Sequence, residues 1–215
     1  MGSMAWNSNS NTPTDVSDVC FQGGGTLGIA HVGAVAKLGE ETFRCVGRVC
    51  GASAGAVVAL AVAMRIRPQD LEAEFRRQDF AEFEDGSYFR VGNWARLAVN
   101  GGLYRGEALR KWISRLVGAY SETHNPDLTF EQLYTSTRRE LIVAVSNVTT
   151  GRVVFFDRFT SPDYAVAKAV AAAACIPMVF IPKVYDGPKI PFPSVGGPGS
   201  GRGRRKKQQQ PQHRP

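Results

Sequence analysis

The amino-acid sequence predicts an α/β fold built around a mostly parallel β-sheet. Two glycine-rich turns, residues 23–28 and 51–55, each lie between a short apolar run and a run of small, helix-compatible residues. The rest of the chain alternates strand-like and helix-like segments, which is typical of parallel strands joined by helices that cover both faces of a sheet. At 215 residues, the chain is long enough to bury a sizeable core as one domain.

The first elements surround the glycine turns. Residues 19–21 are a short apolar run, and residues 29–38 follow the first turn with the pattern of a helix. Residues 43–50 are predicted to form the second strand, and residues 54–64 a small, apolar helix. Periodicity and helix-start signals predict the later elements, namely helices over residues 68–75, 109–120 and 165–174, and strands over residues 140–146 and 152–156.

The second glycine turn reads GASAG and has the form of a nucleophile elbow. It would hold Ser53 at a sharp bend between a strand and a helix, with its hydroxyl exposed. Gly51 and Gly55 leave room for the bend and for close approach of neighbouring backbone. Because Ser53 would lie at a helix N-terminus, free N–H groups and the helix dipole would favour negative charge there.

The first glycine turn reads GGGTLG and would present backbone N–H groups as a concave anion site. In acyl transfer, the anion to be stabilised is the tetrahedral oxyanion. Gly23, Gly24, Gly25 and Gly28 are therefore candidate oxyanion-hole residues beside Ser53.

These turns allow two other interpretations. Gly23, Gly25 and Gly28 match the dinucleotide fingerprint G-x-G-x-x-G, which also requires an acid at the end of the second strand. The nearest acids, Glu40 and Glu41, precede that strand. The other interpretation is a pair of tight turns without chemistry, but two such turns close together between strand and helix favour a functional pair.

Histidine usage argues against a Ser-His-Asp triad. In hydrolases with this elbow, the histidine follows the serine and the acid along the chain. Of the three histidines, His31 and His124 come too early, and His213 lies in a Gln/Pro/Arg-rich tail. A buried carboxylate with a raised pKa could serve as the base instead, and the late candidates are Asp157, Asp163 and Asp186.

Together with the segment CIPMVFIP at residues 175–182, the two glycine motifs resemble the patatin-like phospholipases. The resemblance runs from about residue 19 to residue 186. It implies a three-layer α/β/α fold and a Ser-Asp dyad that cleaves acyl esters of phospholipids or related lipids. Ser53 would be the nucleophile, the glycine loop would bind the oxyanion, and neither a cofactor nor a metal would be required.

The sequence departs from the family pattern in two places. Leu27 stands where the family loop usually carries Arg or Lys. Asp186 precedes a glycine, as the dyad acid does in the family, but it follows Pro177 more closely than that acid normally would. The strand and helix that usually come after the acid are also not readable. An alternative function is therefore a catalytically impaired homologue that binds a lipid or a partner.

The predicted domain organisation is a disordered segment over residues 1–17, an acyl hydrolase domain over residues 18–190 and a disordered basic tail over residues 191–215. All acids lie at or before Asp186, and seven bases lie beyond Gly187, namely Lys189 and six in the tail, so this C-terminal segment accounts for the net charge of +7. This tail could contact anionic membrane, whereas nucleic acid is not favoured. No signal peptide or membrane span is readable, which favours a cytoplasmic protein with peripheral membrane contact.

The sequence also predicts the environment of two further groups of residues. An aromatic cluster over residues 80–97 is either ordinary core or a lipid-facing lid. The cysteines show no metal-ligand pattern and are expected to be buried, reduced thiols, namely Cys20, Cys45, Cys50 and Cys175.

Overall fold

The computed structural model describes residues 16–85, 102–176, 178–187 and 190. The predicted basic tail, most of the predicted N-terminal segment, Pro177 and the part of the aromatic cluster from residue 86 onwards lie outside the described residues. The domain boundaries therefore stay predictions. Of the described aromatic residues in that cluster, Phe83 packs against the core and Phe80 is exposed.

The predicted strands and helices are present, with one difference in the second strand. The strands are β1 (Asp18–Phe21), β2 (Arg48–Ala52), β3 (Gly102–Tyr104), β4 (Glu140–Asn147), β5 (Arg152–Phe156) and β6 (Met178–Phe180). The helices are α1 (Ile29–Thr42), α2 (Ala54–Ala63), α3 (Pro68–Arg77), α4 (Glu107–Tyr120), α5 (Phe130–Thr137) and α6 (Val166–Ala174). Short 3₁₀ turns cover Gly25–Gly28 and Phe80–Phe83. No helix of the described part is long and apolar enough to cross a membrane.

The main sheet has the strand order β1-β2-β4-β5. The first three strands are parallel, and β5 returns antiparallel to β4 through a hairpin. Strands β3 and β6 form a separate parallel pair. The prediction of an α/β fold with a mostly parallel sheet is confirmed. Because β1, β2 and β4 run in the same direction, the segments that follow them meet at one edge of the sheet, here called the carboxyl edge.

One face of the main sheet packs against the helices. Val49, Leu141 and Val143 point to this face and belong to the hydrophobic core that α2 and α6 share. On the other face, Cys50 and Ile142 are only half-buried. The chain moves across the sheet in one direction from β1 to β2 to β4, and right-handed crossovers then place the connecting helices on the same face.

The structure corrects the expectation that the cysteines are buried. All four are free thiols, but Cys20 and Cys45 are exposed. Cys20 lies beside Cys50 on the half-buried face, since the two residues pair in register. Burial raises the pKa of the Cys50 thiol to about 12.

The second strand begins later than predicted. Phe43 and Val46 are buried, but they lie in the turn between α1 and β2, where the Val46 N–H donates to the Phe43 carbonyl over 3.3 Å. Pairing with β1 begins at Arg48, whose guanidinium binds the Asp18 carboxylate. The apolar residues at the start of the predicted strand therefore fill the core from a turn.

A buried arginine donates hydrogen bonds to carbonyl groups at the ends of two helices. Arg139, which is 5% exposed, donates to the Val62 carbonyl in the last turn of α2 over 2.5 Å. Its other terminal nitrogen donates to the Phe43 carbonyl just after α1. Burial lowers the pKa of Arg139 to about 10. The cation thus links the end of α2 to the turn after α1, and each carbonyl also accepts a backbone N–H, from Arg65 and from Val46 respectively.

We predict that Arg139→Met destabilises the protein by about 2–4 kcal/mol, because it removes two buried hydrogen bonds from a charged donor. The matched variant is Arg138→Met, since Arg138 is the exposed neighbour of Arg139 and its loss should change stability by less than about 0.5 kcal/mol. Urea unfolding followed by circular dichroism measures both. Equal stability of the two variants would show that Arg139 does not hold these helix ends.

Candidate active site

Ser53 occupies the turn between β2 and α2 at the carboxyl edge. Its backbone has φ 51° and ψ −130°, a conformation that residues other than glycine rarely adopt. The side chain is half-buried and does not cap the helix that it precedes. A nucleophile elbow requires a strained serine at a strand-to-helix turn with its hydroxyl not engaged in capping, and Ser53 meets these geometric requirements.

The two motif glycines permit this turn because side chains would not fit there. A Cβ on Gly51 would lie 2.6 Å from the Ala56 Cα, inside the first turn of α2. A Cβ on Gly55 would collide with the carbonyl oxygens of Phe21 and Gln22. The backbone of α2 therefore packs directly against the backbone at the ends of β1 and β2. Residues Gly55–Ala63 are all buried.

The glycine loop lies directly against the elbow. A Cβ built on Gly23 would be 3.1 Å from the Ser53 Cβ and 3.8 Å from the Ser53 Oγ. After Gly24, the loop tightens into the 3₁₀ turn, which a hydrogen bond from the Leu27 N–H to the Gly24 carbonyl closes over 3.1 Å. Gly28 packs on Ala54, where an added Cβ would come within 2.7 Å of the Ala54 Cβ. The structure thus brings Ser53 and the glycine loop together.

Several backbone N–H groups at this edge are available to an anion. Within the described residues, the N–H groups of Gly24 and Gly25 donate to no other backbone group. The Ala54 N–H is likewise free of a helical partner, since Ala54 is the first residue of α2. Ala54 is a residue that the sequence analysis missed, although its position directly after the serine is a signal for an oxyanion donor.

Neither described histidine bonds to Ser53. The His31 Nε2 lies 3.0 Å from the Gln22 carbonyl oxygen, and the ring packs edge-on against Phe21. His124 is exposed, and its Nδ1 lies 3.2 Å from the Gly118 carbonyl oxygen. His213 lies outside the described residues. Both described imidazoles therefore have structural contacts of their own.

The three candidate acids are in different settings. The Asp157 carboxylate accepts from the backbone N–H groups of Phe159 and Thr160, and so stabilises the turn after β5. Asp163 is exposed. Asp186 is 62% exposed and accepts a hydrogen bond from the Lys168 Nζ over 3.1 Å. No hydrogen bond joins any of the three to Ser53 within the described residues.

The contact with Lys168 decides what Asp186 can do in this arrangement. The hydrogen bond from Lys168 lowers the pKa of the Asp186 carboxyl below its ordinary value of 3.8. A general base works best when its pKa lies near the working pH. Asp186 as placed here is an ionised but weak base, and its role in a dyad stays a prediction.

The described residues contain no cluster of three or more His, Cys, Asp or Glu side chains that could hold a metal ion. The groups that the fold does gather at the carboxyl edge are a serine hydroxyl and backbone N–H donors. These groups suit an uncharged electrophile whose oxygen becomes negative during reaction.

Comparison with known proteins assigns the family. A family model described as patatin-like phospholipase matches residues 19–193. The chain therefore belongs to the patatin-like phospholipase family, as the resemblance predicted.

Three curated relatives cover most of this chain. It is 31% identical over 175 residues to the uncharacterized protein YqhO of Bacillus subtilis, covering 77% of this chain and 57% of that protein. It is 23% identical to the uncharacterized protein R571 of Acanthamoeba polyphaga mimivirus, covering 81% and 56%. It is 27% identical to the triacylglycerol lipase ptl3 of Schizosaccharomyces pombe, covering 74% and 32%. The chain spans little more than half the length of the first two relatives.

Solved structures show the same fold. VipD from Legionella pneumophila superposes with a TM-score of 0.58 at 17% identity, covering 80% of this chain and 44% of that one. ExoU in its heterodimeric complex with SpcU from Pseudomonas aeruginosa gives a TM-score of 0.50 at 19% identity, covering 77% and 37%. At these identities, the likeness shows the fold alone.

We predict that Gly55→Ala destabilises the protein by about 2 kcal/mol or more, because the added methyl overpacks against the carbonyl groups after β1. Gly33→Ala is the matched control, since a Cβ on this glycine of α1 meets nothing within 4 Å, and it should stabilise the helix by about 0.5–1 kcal/mol. Urea unfolding measures both changes. Equal tolerance of the two substitutions would contradict the close approach of α2 to β1.

Proposed function

We propose that the protein is a serine acyl hydrolase that cleaves ester bonds of phospholipids or related lipids. The observation that carries this proposal is the position of Ser53, held at positive φ at the start of α2 with Gly23 packed beside it. Family membership supports a lipid ester as the substrate. One of the relatives bears the name of a triacylglycerol lipase, which also favours a lipid ester.

In the proposed mechanism, the Ser53 Oγ attacks the ester carbonyl carbon and its proton passes to Asp186. The carbonyl oxygen becomes an oxyanion, which N–H groups of the glycine loop and of Ala54 stabilise; one such donor is worth about 3–4 kcal/mol in the transition state. The protonated acid gives its proton to the leaving alcohol, which leaves an acyl-enzyme. Water then attacks the acyl carbon, releases the fatty acid and returns the proton to Ser53.

This mechanism requires Asp186 to turn from Lys168 towards Ser53. The ion pair with Lys168 is exposed on both sides, and exposed pairs contribute little to stability. Opening it would therefore cost little. Release from Lys168 would also raise the pKa of Asp186 and make the carboxylate a stronger base.

A second candidate function is a catalytically impaired homologue that binds a lipid or a partner. The observation that favours it is the pairing of Asp186 with Lys168 rather than with Ser53. In such an impaired homologue, the turn at Ser53 and the glycine loop would still bind an ester carbonyl, but Ser53 would lack a base. The two candidates differ in one measurable property, the rate at which Ser53 becomes acylated.

We predict that Ser53→Ala abolishes labelling by a fluorophosphonate probe and lowers hydrolysis of a short-chain ester by about 10⁴-fold or more, the loss expected when a nucleophile is removed. The matched control is Ser136→Ala, because Ser136 is an exposed serine on α5 and should keep both activities. In-gel fluorescence and initial rates are the measurements. Labelling that persists in the alanine variant would end the assignment of Ser53 as nucleophile.

A separate prediction concerns the acid. If Asp186 is the base, Asp186→Asn should lower kcat by at least about 10²-fold, since an amide cannot accept the proton. Lys168 lowers the pKa of Asp186. When kcat/KM is plotted against pH, its acid limb should therefore lie at a pH below the ordinary pKa of aspartate. Lys168→Met should then move that limb to higher pH. A parent rate well above that of Ser53→Ala, together with full activity of Asp186→Asn, would assign the base to another group.

A further inference from the structure

Two thiols lie side by side on the half-buried face of the main sheet. Cys20 on β1 pairs in register with Cys50 on the neighbouring parallel strand β2. Neighbouring strands lie about 4.8 Å apart, and a disulfide joins residues whose Cα atoms are about 4.4–6.8 Å apart. The strand pairing therefore brings the two cysteines within the range at which their sulfur atoms can be joined by a covalent bond.

The two thiols differ in their access to solvent. Cys20 is exposed, and β1 is the outer strand of the described sheet. Cys50 is half-buried, and burial together with the neighbouring Cys20 thiol raises its pKa to about 12, so it stays protonated at neutral pH. An oxidant reacts first with the more exposed cysteine, and a second thiol within reach then stops the oxidation at a disulfide. Cys20 suits the first of these roles and Cys50 the second.

The two cysteines directly precede the turns that build the candidate active site. Cys20 lies three residues before Gly23 of the glycine loop, and Cys50 lies three residues before Ser53. A Cβ built on Gly23 would be 3.1 Å from the Ser53 Cβ, so the two turns are in close contact. A change in the spacing of β1 and β2 at the two thiols therefore changes the contact between the glycine loop and Ser53.

We propose that Cys20 and Cys50 are an oxidation site, at which a peroxide converts the two thiols into a disulfide that joins β1 to β2. In the first step, the Cys20 sulfur attacks one oxygen of hydrogen peroxide. An S–O bond forms, the O–O bond breaks, and the departing hydroxide takes the thiol proton and leaves as water. In the second step, the Cys50 sulfur attacks the Cys20 sulfur, an S–S bond forms, the S–O bond breaks, and hydroxide takes the Cys50 proton to form a second water. The two thiols thus give two electrons to one peroxide.

The disulfide alters the active site as well as the strands. In-register Cβ atoms at the strand spacing of about 4.8 Å must approach to about 3.8 Å in a disulfide, so β1 moves towards β2 by about 1 Å. A displacement of about 1 Å in a catalytic arrangement can lower the rate by about 100-fold. We therefore expect Ser53 to be acylated more slowly in the oxidised protein. This consequence rests on the proposed function, whereas the oxidation site itself does not.

The first experiment maps the bond and does not depend on turnover. The protein is treated with hydrogen peroxide, the remaining thiols are blocked with N-ethylmaleimide, and the peptides are identified by mass spectrometry. We expect a Cys20–Cys50 disulfide in the parent, which dithiothreitol removes. Cys50→Ser should instead leave a sulfenic acid on Cys20 that dimedone traps, and Cys20→Ser should leave Cys50 reduced. The matched control is Cys45→Ser, because Cys45 is exposed but lies in the turn before β2, and it should form the disulfide as the parent does.

Thermal unfolding verifies that each variant is folded, and Cys50→Ala replaces Cys50→Ser if the hydroxyl is not tolerated at this half-buried position. Peptides in which Cys20 and Cys50 stay unlinked in the folded parent overturn the proposal. A disulfide that joins Cys20 to another cysteine overturns it as well.

The second experiment measures how fast the fluorophosphonate probe labels Ser53 in the reduced and in the oxidised protein. Oxidation should slow labelling by at least about tenfold, and dithiothreitol should restore it. Cys20→Ser should keep its labelling rate after peroxide treatment, whereas Cys45→Ser should slow as the parent does. A mapped disulfide with an unchanged labelling rate overturns the link to Ser53. Absence of labelling in the reduced parent overturns the proposed function instead, and the peptide map still decides the oxidation site.

Discussion

The contact between the first turn of α2 and the ends of β1 and β2 is the constraint on which the site depends. Gly51, Gly55 and Gly28 have no side chains, so backbone can approach backbone where any Cβ would collide. This approach forces the chain through a sharp turn at Ser53 and keeps φ positive there. The strain is held by burial of the rest of α2, since the packed core does not allow the helix to move away.

The same constraint explains the chemical character of the site. Segments that pack at backbone distance must be small and apolar, because a charged side chain in such a contact would be desolvated without a partner. The segments next to Ser53, residues 19–36 and 49–64, therefore contain no Asp, Glu, Lys or Arg, and the turn offers the Ser53 hydroxyl and backbone N–H donors. One-directional crossovers bring the segments after β1, β2 and β4 to one edge. Close packing and topology together place the Ser53 hydroxyl in uncharged, partly apolar surroundings.

The sequence predicted the local geometry of the site better than its long-range contacts. Both glycine turns were predicted because their chemistry is written in adjacent residues. The start of β2 was misjudged, since Phe43 and Val46 satisfy an apolar pattern from a turn as well as from a strand. The burial of Cys20 was also misjudged, because burial depends on which face of the sheet the helices cover. The partner of Asp186 lies on α6, and no local pattern identifies a contact between distant elements.

The elbow and the acid are separable in this fold. Ser53 is positioned by glycine contacts and by α2, and none of these involves Asp186. Asp186 lies beyond β6, which pairs with β3 in the second sheet and not with the strands that carry the site. The geometry of the nucleophile can therefore be complete whichever partner the acid adopts. If Asp186 is the base, activity depends on the free energy that moves its exposed carboxylate from Lys168 to Ser53.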